Sequence, residues 1–160
     1  MKSKLIAEDT KLKSDFLDII KKITGTKADL STSRVNRCSV QLQVTGKFGH
    51  DIDIYFKDSN QKWGSDIEPN TRVEDVVIEI GGGTMGAQDP KKEPDYFERY
   101  RIMGILGNAI IANTKEVQDL IAIQIKLAQN ERMFNEFTFE MNGKKYRRTG
   151  NGGFEELETE

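Results

Sequence analysis

The sequence predicts an α+β fold in which N-terminal and central helices pack on a mixed, largely antiparallel sheet. Three observations predict it: an apolar stripe at helical spacing near the start, alternating apolar and polar runs in the first half, and an Asn-Gly turn near the end. The expected order is α-β-β-β-α-(α/β)-β-β. In a chain of 160 residues, we expect a single domain over residues 1–150 and an acidic tail over residues 151–160.

The first helix is predicted over residues 10–24, with Gly25 as its stop signal. Its apolar residues recur at the spacing of one helix face: Leu12, Phe16, Ile19, Ile20 and Ile23. Two alternating runs follow, RVNRCSVQLQVT and HDIDIYFK, with the period of a strand. Their apolar faces match when Leu42 pairs with Ile52 and Val40 with Ile54, which predicts a hairpin whose connection is residues 45–49.

The second half of the chain is predicted to begin with a third strand, RVEDVVIEI, and a helix over residues 95–112. Gly104 and Gly107 in that helix indicate close packing on the sheet. Residues 121–128, LIAIQIKL, are ambiguous, because their composition suits a helix while their β-branched residues alternate. The strict alternation favours a strand.

The segment EFTFEM-NG-KKYRR predicts a hairpin with a type I′ turn at Asn142 and Gly143, since both residues tolerate a positive φ. A two-residue turn sets the pairs Met141–Lys144, Glu140–Lys145, Phe139–Tyr146 and Thr138–Arg147. The basic run is then split between two faces, so we expect nucleic-acid binding to be unlikely, and weak at most. The residues that would carry it are Lys144, Lys145, Arg147 and Arg148.

Charge is distributed in blocks, although the formal net charge is only −2. The net charge is +3 over residues 1–60, −5 over 61–98, +4 over 99–149 and −4 over 150–160. The small total excludes binding to nucleic acid or to an anionic membrane by bulk charge. The blocks favour a protein partner or self-association.

The chain contains one cysteine, Cys38, and one histidine, His50. A disulfide within the chain and a zinc site of four Cys or His ligands are therefore excluded. We expect Cys38 to be a small buried hydrophobe. The N-terminal residues lack the apolar region of a secretory signal, and no segment approaches the length of a membrane span. The expectation is a cytoplasmic protein without membrane contact.

A glycine motif follows the third predicted strand. Gly81, Gly83 and Gly86 have the spacing of the dinucleotide-binding fingerprint. That chemistry needs a helix beginning inside the glycines, and Pro90 and Pro94 oppose one. We interpret the segment as a mobile glycine loop or a weak anion nest, and expect no cofactor.

Three carboxylates form the alternative candidate site. Asp51, Asp53 and Glu79 are predicted to share one face of the sheet, and carboxylates at strand ends can hold Mg²⁺ or Mn²⁺ for phosphodiester hydrolysis. With these residues, the order of elements over residues 10–141 resembles the core of the PD-(D/E)xK nuclease family. The resemblance implies Asp51 or Asp53 as the metal-binding Asp and Glu79 as the metal-binding Glu. Gly81 occupies the position of the family's lysine.

The leading hypothesis is a non-enzymatic interaction or assembly protein, a small subunit or accessory factor that forms oligomers or binds a protein partner. By analogy, phage and mobile-element assembly proteins have this size and style. The expected contact residues lie in the loops and the tail: Trp63, Gly81, Gly82, Gly83, Met85, Glu155 and Glu156. The alternative is the metal-dependent nuclease or phosphodiesterase with Asp51, Asp53 and Glu79.

Overall fold

In a computed structural model, the described part of the chain contains three helices and seven strands. The helices are α1 (Lys2–Thr24), α2 (Tyr96–Ala112) and α3 (Lys115–Asn135). The strands are β1 (Arg34–Val35), β2 (Ser39–Leu42), β3 (Ile52–Asp58), β4 (Val76–Gly81), β5 (Thr138–Met141), β6 (Lys144–Arg148) and β7 (Phe154–Glu156). A short 3₁₀ helix, Val73–Asp75, precedes β4. The described residues are 2–25, 30, 33–43, 52–61, 66–81, 96–135, 138–148 and 153–156.

The predicted α+β class is confirmed. Strands β1 to β4 form sheet A, in sequential order and antiparallel throughout. The predicted register of its first hairpin is confirmed, since Leu42 pairs with Ile52 and Val40 with Ile54. The predicted connection, residues 45–49, lies outside the described residues.

The first alternating run differs from the prediction, because it turns back on itself instead of forming one strand. The Asn36 N–H donates to the Ser39 carbonyl at 3.0 Å, and Val35 pairs with Val40. Arg37 and Cys38 form the two-residue turn between them. The part of the chain between α1 and α2 therefore contains four described strands, β1 to β4, where three were predicted.

Helix α1 is longer than predicted and begins at Lys2. Leu5 extends the buried stripe that Phe16 and Ile20 occupy further along. The helix ends at Thr24, and the next residue, Gly25, has a φ of 61° and donates its N–H to the Lys21 carbonyl at 2.8 Å. This left-handed glycine is a common helix end, because it satisfies a terminal carbonyl without steric cost.

The strand prediction for residues 121–128 is wrong, because these residues lie inside α3. Thr114 begins that helix, and its Oγ1 accepts the Val117 N–H at 3.3 Å. Most of the circumference of α3 is buried. Its buried residues include Val117, Leu120, Ile121, Ile123, Gln124, Ile125, Leu127 and Ala128. A helix buried this widely contains apolar residues at both helical and alternating spacing, so periodicity does not separate the two structures.

One hydrophobic core joins the three helices to one face of sheet A. Phe16 of α1 packs edge-to-face on Phe56 of β3, with ring centroids 6.0 Å apart. Helix α2 contributes Ile102 and Leu106. The close packing predicted at Gly104 and Gly107 is not observed, because among the described residues nothing lies within 4 Å of where a Cβ would sit at either position.

Strands β5, β6 and β7 form a separate sheet B. The predicted hairpin is confirmed in all four residue pairs. Asn142 and Gly143 have φ values of 55° and 77°, the positive values that a type I′ turn requires. Strand β7 lies within the segment predicted as an acidic tail and pairs antiparallel with β6.

Candidate functional site

Sheet B is amphipathic, and its apolar side is partly exposed. Residues paired across an antiparallel sheet, and those two apart along a strand, share one face. By this rule Met141, Lys144, Tyr146, Phe154 and Glu156 lie together, and we call this surface the sheet B face. Met141 is 44 % exposed and Phe154 is 54 % exposed, so its apolar side chains are incompletely covered.

Contacts within the sheet hold this face in shape. The rings of Tyr146 and Phe154 meet edge-to-face, with centroids 5.3 Å apart and an interplanar angle of 84°, a favourable aromatic geometry. Lys144 Nζ lies 3.7 Å from Glu156 Oε1. Among the side chains that the structure describes, the face therefore combines an aromatic pair with one positive and one negative group.

The opposite side of sheet B is polar and balanced in charge. It contains Glu140, Lys145, Arg147 and Glu155. Arg147 Nε donates to Glu155 Oε1 at 3.0 Å, and Arg147 Nη2 donates to the same oxygen. The basic run is thus split between two faces, and Lys144 and Arg147 are paired with acids of β7. The side chain of Arg148 lies outside the described part of the structure.

The acids of β7 were predicted to contact a partner. In the structure Glu155 binds Arg147 and Glu156 binds Lys144 of their own chain. Both ion pairs join β7 to β6, the same two strands that the Tyr146–Phe154 ring contact joins, and partner contact by Glu155 and Glu156 stays a prediction.

Two of the candidate carboxylates, Asp53 and Glu79, lie on the outer face of sheet A, away from the helices. Asp53 pairs with Gly81 and Tyr55 pairs with Glu79, so the two acids are diagonal neighbours on adjacent strands. Glu79 Oε2 lies 2.9 Å from Lys57 Nζ. Asp51 lies outside the described residues, and within those residues no three potential metal ligands cluster together.

The remaining predicted contact residues lie almost entirely outside the described ranges. Gly81 is the last residue of β4. Trp63, Gly82, Gly83 and Met85 fall between described segments, so their part in partner contact stays a prediction.

A cleft of about 530 Å³ lies between α1, α3 and the β1–β2 turn. It contains Cys38, whose pKa is raised to about 11 by burial and by a hydrogen bond to the Asp66 carboxylate. At its rim Arg37 Nε lies 3.1 Å from Glu131 Oε2. A thiol that is protonated at neutral pH is a poor nucleophile, so the structure places Cys38 as a half-buried neutral group.

Sequence reasoning missed the aromatic pair of Tyr146 and Phe154. The available signal was complementary charge, because the acidic residues 155–156 follow soon after the basic run of residues 144–148. A strand of three residues, such as β7, is too short to produce a readable alternation.

Comparisons of this chain with protein-family models, with curated proteins and with solved structures found no match. None of the described helices has the length and apolar character needed to cross a membrane.

Proposed function

We propose that the chain is a non-enzymatic interaction protein, a small subunit or accessory factor that binds another protein through the sheet B face. One observation carries the proposal: sheet B presents Met141, Tyr146 and Phe154 on a single side, and two of them are about half exposed. An apolar centre bordered by charged groups is the arrangement found in protein contact sites. Aromatic residues and Met are also enriched at such interfaces.

The size of the sheet B face indicates the kind of partner. Three short strands, spaced about 4.8 Å apart with a rise of about 3.4 Å per residue, cover roughly 200 Å². A stable interface between two globular proteins uses about 800 Å² on each side. The face therefore suits a short apolar segment of another protein, and the flexible Met141 side chain can adapt to its shape.

Charge supports a protein partner over nucleic acid. Lys144 and Arg147, which belong to the basic run, each bind an acid of β7. Nucleic-acid affinity depends on cations that are available to phosphates. The metal-dependent alternative, with Asp51, Asp53 and Glu79, has less support, because Glu79 binds Lys57.

The proposal includes a cytoplasmic location and no cofactor. The observation that supports the location is Cys38, the single cysteine of the chain, whose thiol is neutral beside Asp66. A structural thiol of this kind is typical of reducing compartments.

Two charge-matched variants of the tagged full chain test the proposed function. Met141→Asp combined with Phe154→Asp adds two negative charges to the sheet B face, and Lys145→Asp changes the charge equally on the opposite side. The measurement is quantitative mass spectrometry of proteins that co-purify from an extract of the source cells. We expect the double variant to lose a partner by about 30-fold or more, as for a buried aromatic anchor, and Lys145→Asp to retain it.

Circular dichroism of each variant before the binding experiment confirms that the fold is kept. The proposal is wrong if the set of co-purifying proteins is the same for the wild type and the double variant. It is also wrong if Lys145→Asp removes the partner as effectively as the double variant does.

A further inference from the structure

We infer that β4 is a pairing edge for a second copy of this chain, which joins two sheets A into one antiparallel sheet of eight strands. Among the described strands, β4 lies at the end of sheet A and pairs with β3 alone. An edge strand presents backbone groups that are ready to pair with another chain. The β4 edge and the sheet B face are different surfaces, so either proposal can be contradicted while the other holds.

Burial decreases sharply toward this edge. The core-facing apolar residues of β3 are each at most 2 % exposed. Those of β4 are only partly buried, although they pack against the same core. The two sets are Ile52, Ile54 and Phe56 on β3, and Val76, Ile78 and Ile80 on β4. The helical layer therefore covers β3 fully and β4 incompletely, and a strand added at β4 would extend the apolar surface.

The hydrogen bonds of β3 show which backbone groups of β4 point outward. The Phe56 N–H donates to the Cys38 carbonyl at 2.9 Å, on the β2 side. In an antiparallel ladder the backbone groups of successive residues point to opposite sides. Tyr55 and Lys57 therefore point toward β4, and their partners Glu79 and Val77 point back toward β3.

It follows that Val76, Ile78 and Ile80 direct their backbone groups to the side away from β3. The Val76 N–H already donates to the Val73 carbonyl. The outward groups are then the carbonyl of Val76 and both backbone groups of Ile78 and Ile80. These are also the residues whose side chains are incompletely covered. Strand β4 of a second copy would therefore pair with their backbone groups and would also extend the core beside their side chains.

The pattern of β4 is complementary to itself in one antiparallel register. When Ile78 pairs with Ile78 of the second copy, Val76 pairs with Ile80 and all core-facing residues lie on one side. Ile78 can then exchange two hydrogen bonds across the symmetry axis, and each Ile80 N–H can reach a Val76 carbonyl. On the outer face, Glu79 lies across from Val77 of the second copy.

Charge disfavours the neighbouring registers. A shift of two residues in one direction places Glu79 across from Glu79, and a shift in the other direction places Asp75 across from Glu79. Like charges directly opposite one another destabilise a sheet. A shift of one residue pairs core-facing residues of one copy with outer residues of the other. The core-facing side chains of one copy would then point to the outer face of the sheet.

Disulfide trapping in a Cys38→Ser background tests both the pairing and its register. A mixture of the single variants Val77→Cys and Glu79→Cys should form a mixed cross-linked dimer under mild oxidation, while each variant alone should cross-link at least ten-fold less. Strong cross-linking of either variant alone would overturn the register. A chain with Lys145→Cys on sheet B controls for random collision.

Sedimentation velocity of the full chain at rising concentration tests the association itself. We expect a dimer that Val77→Glu weakens at least ten-fold, because it places a second acid across from Glu79, and that Phe154→Asp on sheet B leaves unchanged. Val77 is 46 % exposed, so its substitution spares the core. A chain that stays monomeric at all concentrations would overturn the proposal. Slow hydrogen exchange of the Ile78 and Ile80 amides in the monomer would also overturn it, because it would show that the β4 edge is already covered within the chain.

Discussion

Asp58 and Thr71 hold the segment between β3 and β4 against the sheet. Both side chains are buried. Asp58 accepts hydrogen bonds from Thr71 Oγ1 at 2.8 Å and from the Asn60 N–H at 2.9 Å, and Thr71 Oγ1 accepts the Glu68 N–H at 2.8 Å. Because buried polar groups need partners, each member of this network depends on the others.

The variant Thr71→Val keeps the shape of the side chain and removes its hydroxyl. We expect the free energy of unfolding to fall by about 1–3 kcal/mol, because a buried carboxylate and a backbone N–H both lose a partner. Urea denaturation measures the change. Thr10→Val on α1 is the control, since the Thr10 hydroxyl bonds at an exposed site and its loss should cost under about 0.5 kcal/mol. Equal losses for the two variants would contradict the network.

Cys38 provides a test that depends on pH. Its pKa is raised from an ordinary value of 9.0 to about 11, mainly by burial. Because the folded state binds the thiol proton more tightly, this contribution to stability is fully present below about pH 9 and is lost as the pH rises through about 11.

At about pH 8 the folded thiol should react with iodoacetamide on the order of 100-fold more slowly than the unfolded thiol, since two pKa units separate their thiolate fractions. Mass spectrometry of the native chain and of the chain in concentrated guanidinium chloride measures the two rates. Equal rates would show that the thiol of Cys38 is not shifted in the fold.

At the scale of elements, features encoded by local sequence were predictable. The turn at Asn142 and Gly143 set the register of its hairpin, and face matching set the register of β2 with β3. The turn at Arg37 and Cys38 was missed, because neither residue has the Gly or Asn signal of a two-residue turn. Residues 121–128 were misassigned, because wide burial of α3 hides the helical period.

Two glycines predict opposite outcomes for the same substitution. Gly107 lies inside α2, where a methyl group meets no described atom within 4 Å, so Gly107→Ala should raise the free energy of unfolding by about 0.5–1 kcal/mol. Gly143 has a φ of +77°, so Gly143→Ala should loosen the hairpin by about 1 kcal/mol. Urea denaturation measures the first change and hydrogen exchange across sheet B the second. Equal signs would contradict the assigned roles.

At the scale of the whole molecule, the charge blocks acquire a structural meaning. The acidic tail and the basic run meet within sheet B, where Arg147 binds Glu155 and Lys144 binds Glu156. The sequence showed both blocks, but their pairing depends on the short strand β7. The acidic residues therefore join β7 to β6 beside the apolar residues of the candidate site.

The two proposed surfaces together suggest a bivalent assembly. Two chains joined at β4 would carry two copies of the sheet B face. A partner that contains two matching segments would then bind more tightly than either contact alone provides, because the second contact forms at a high effective concentration.

The central claim is that this protein acts through contacts on the sheet B face. The most direct measurement places the photo-crosslinking residue p-benzoylphenylalanine at position 154, and in a control at position 145 on the opposite side of the same sheet, within an extract of the source cells. We predict a discrete protein adduct at position 154 that is absent at position 145. Equal adducts at both positions, or none at position 154, would contradict the claim.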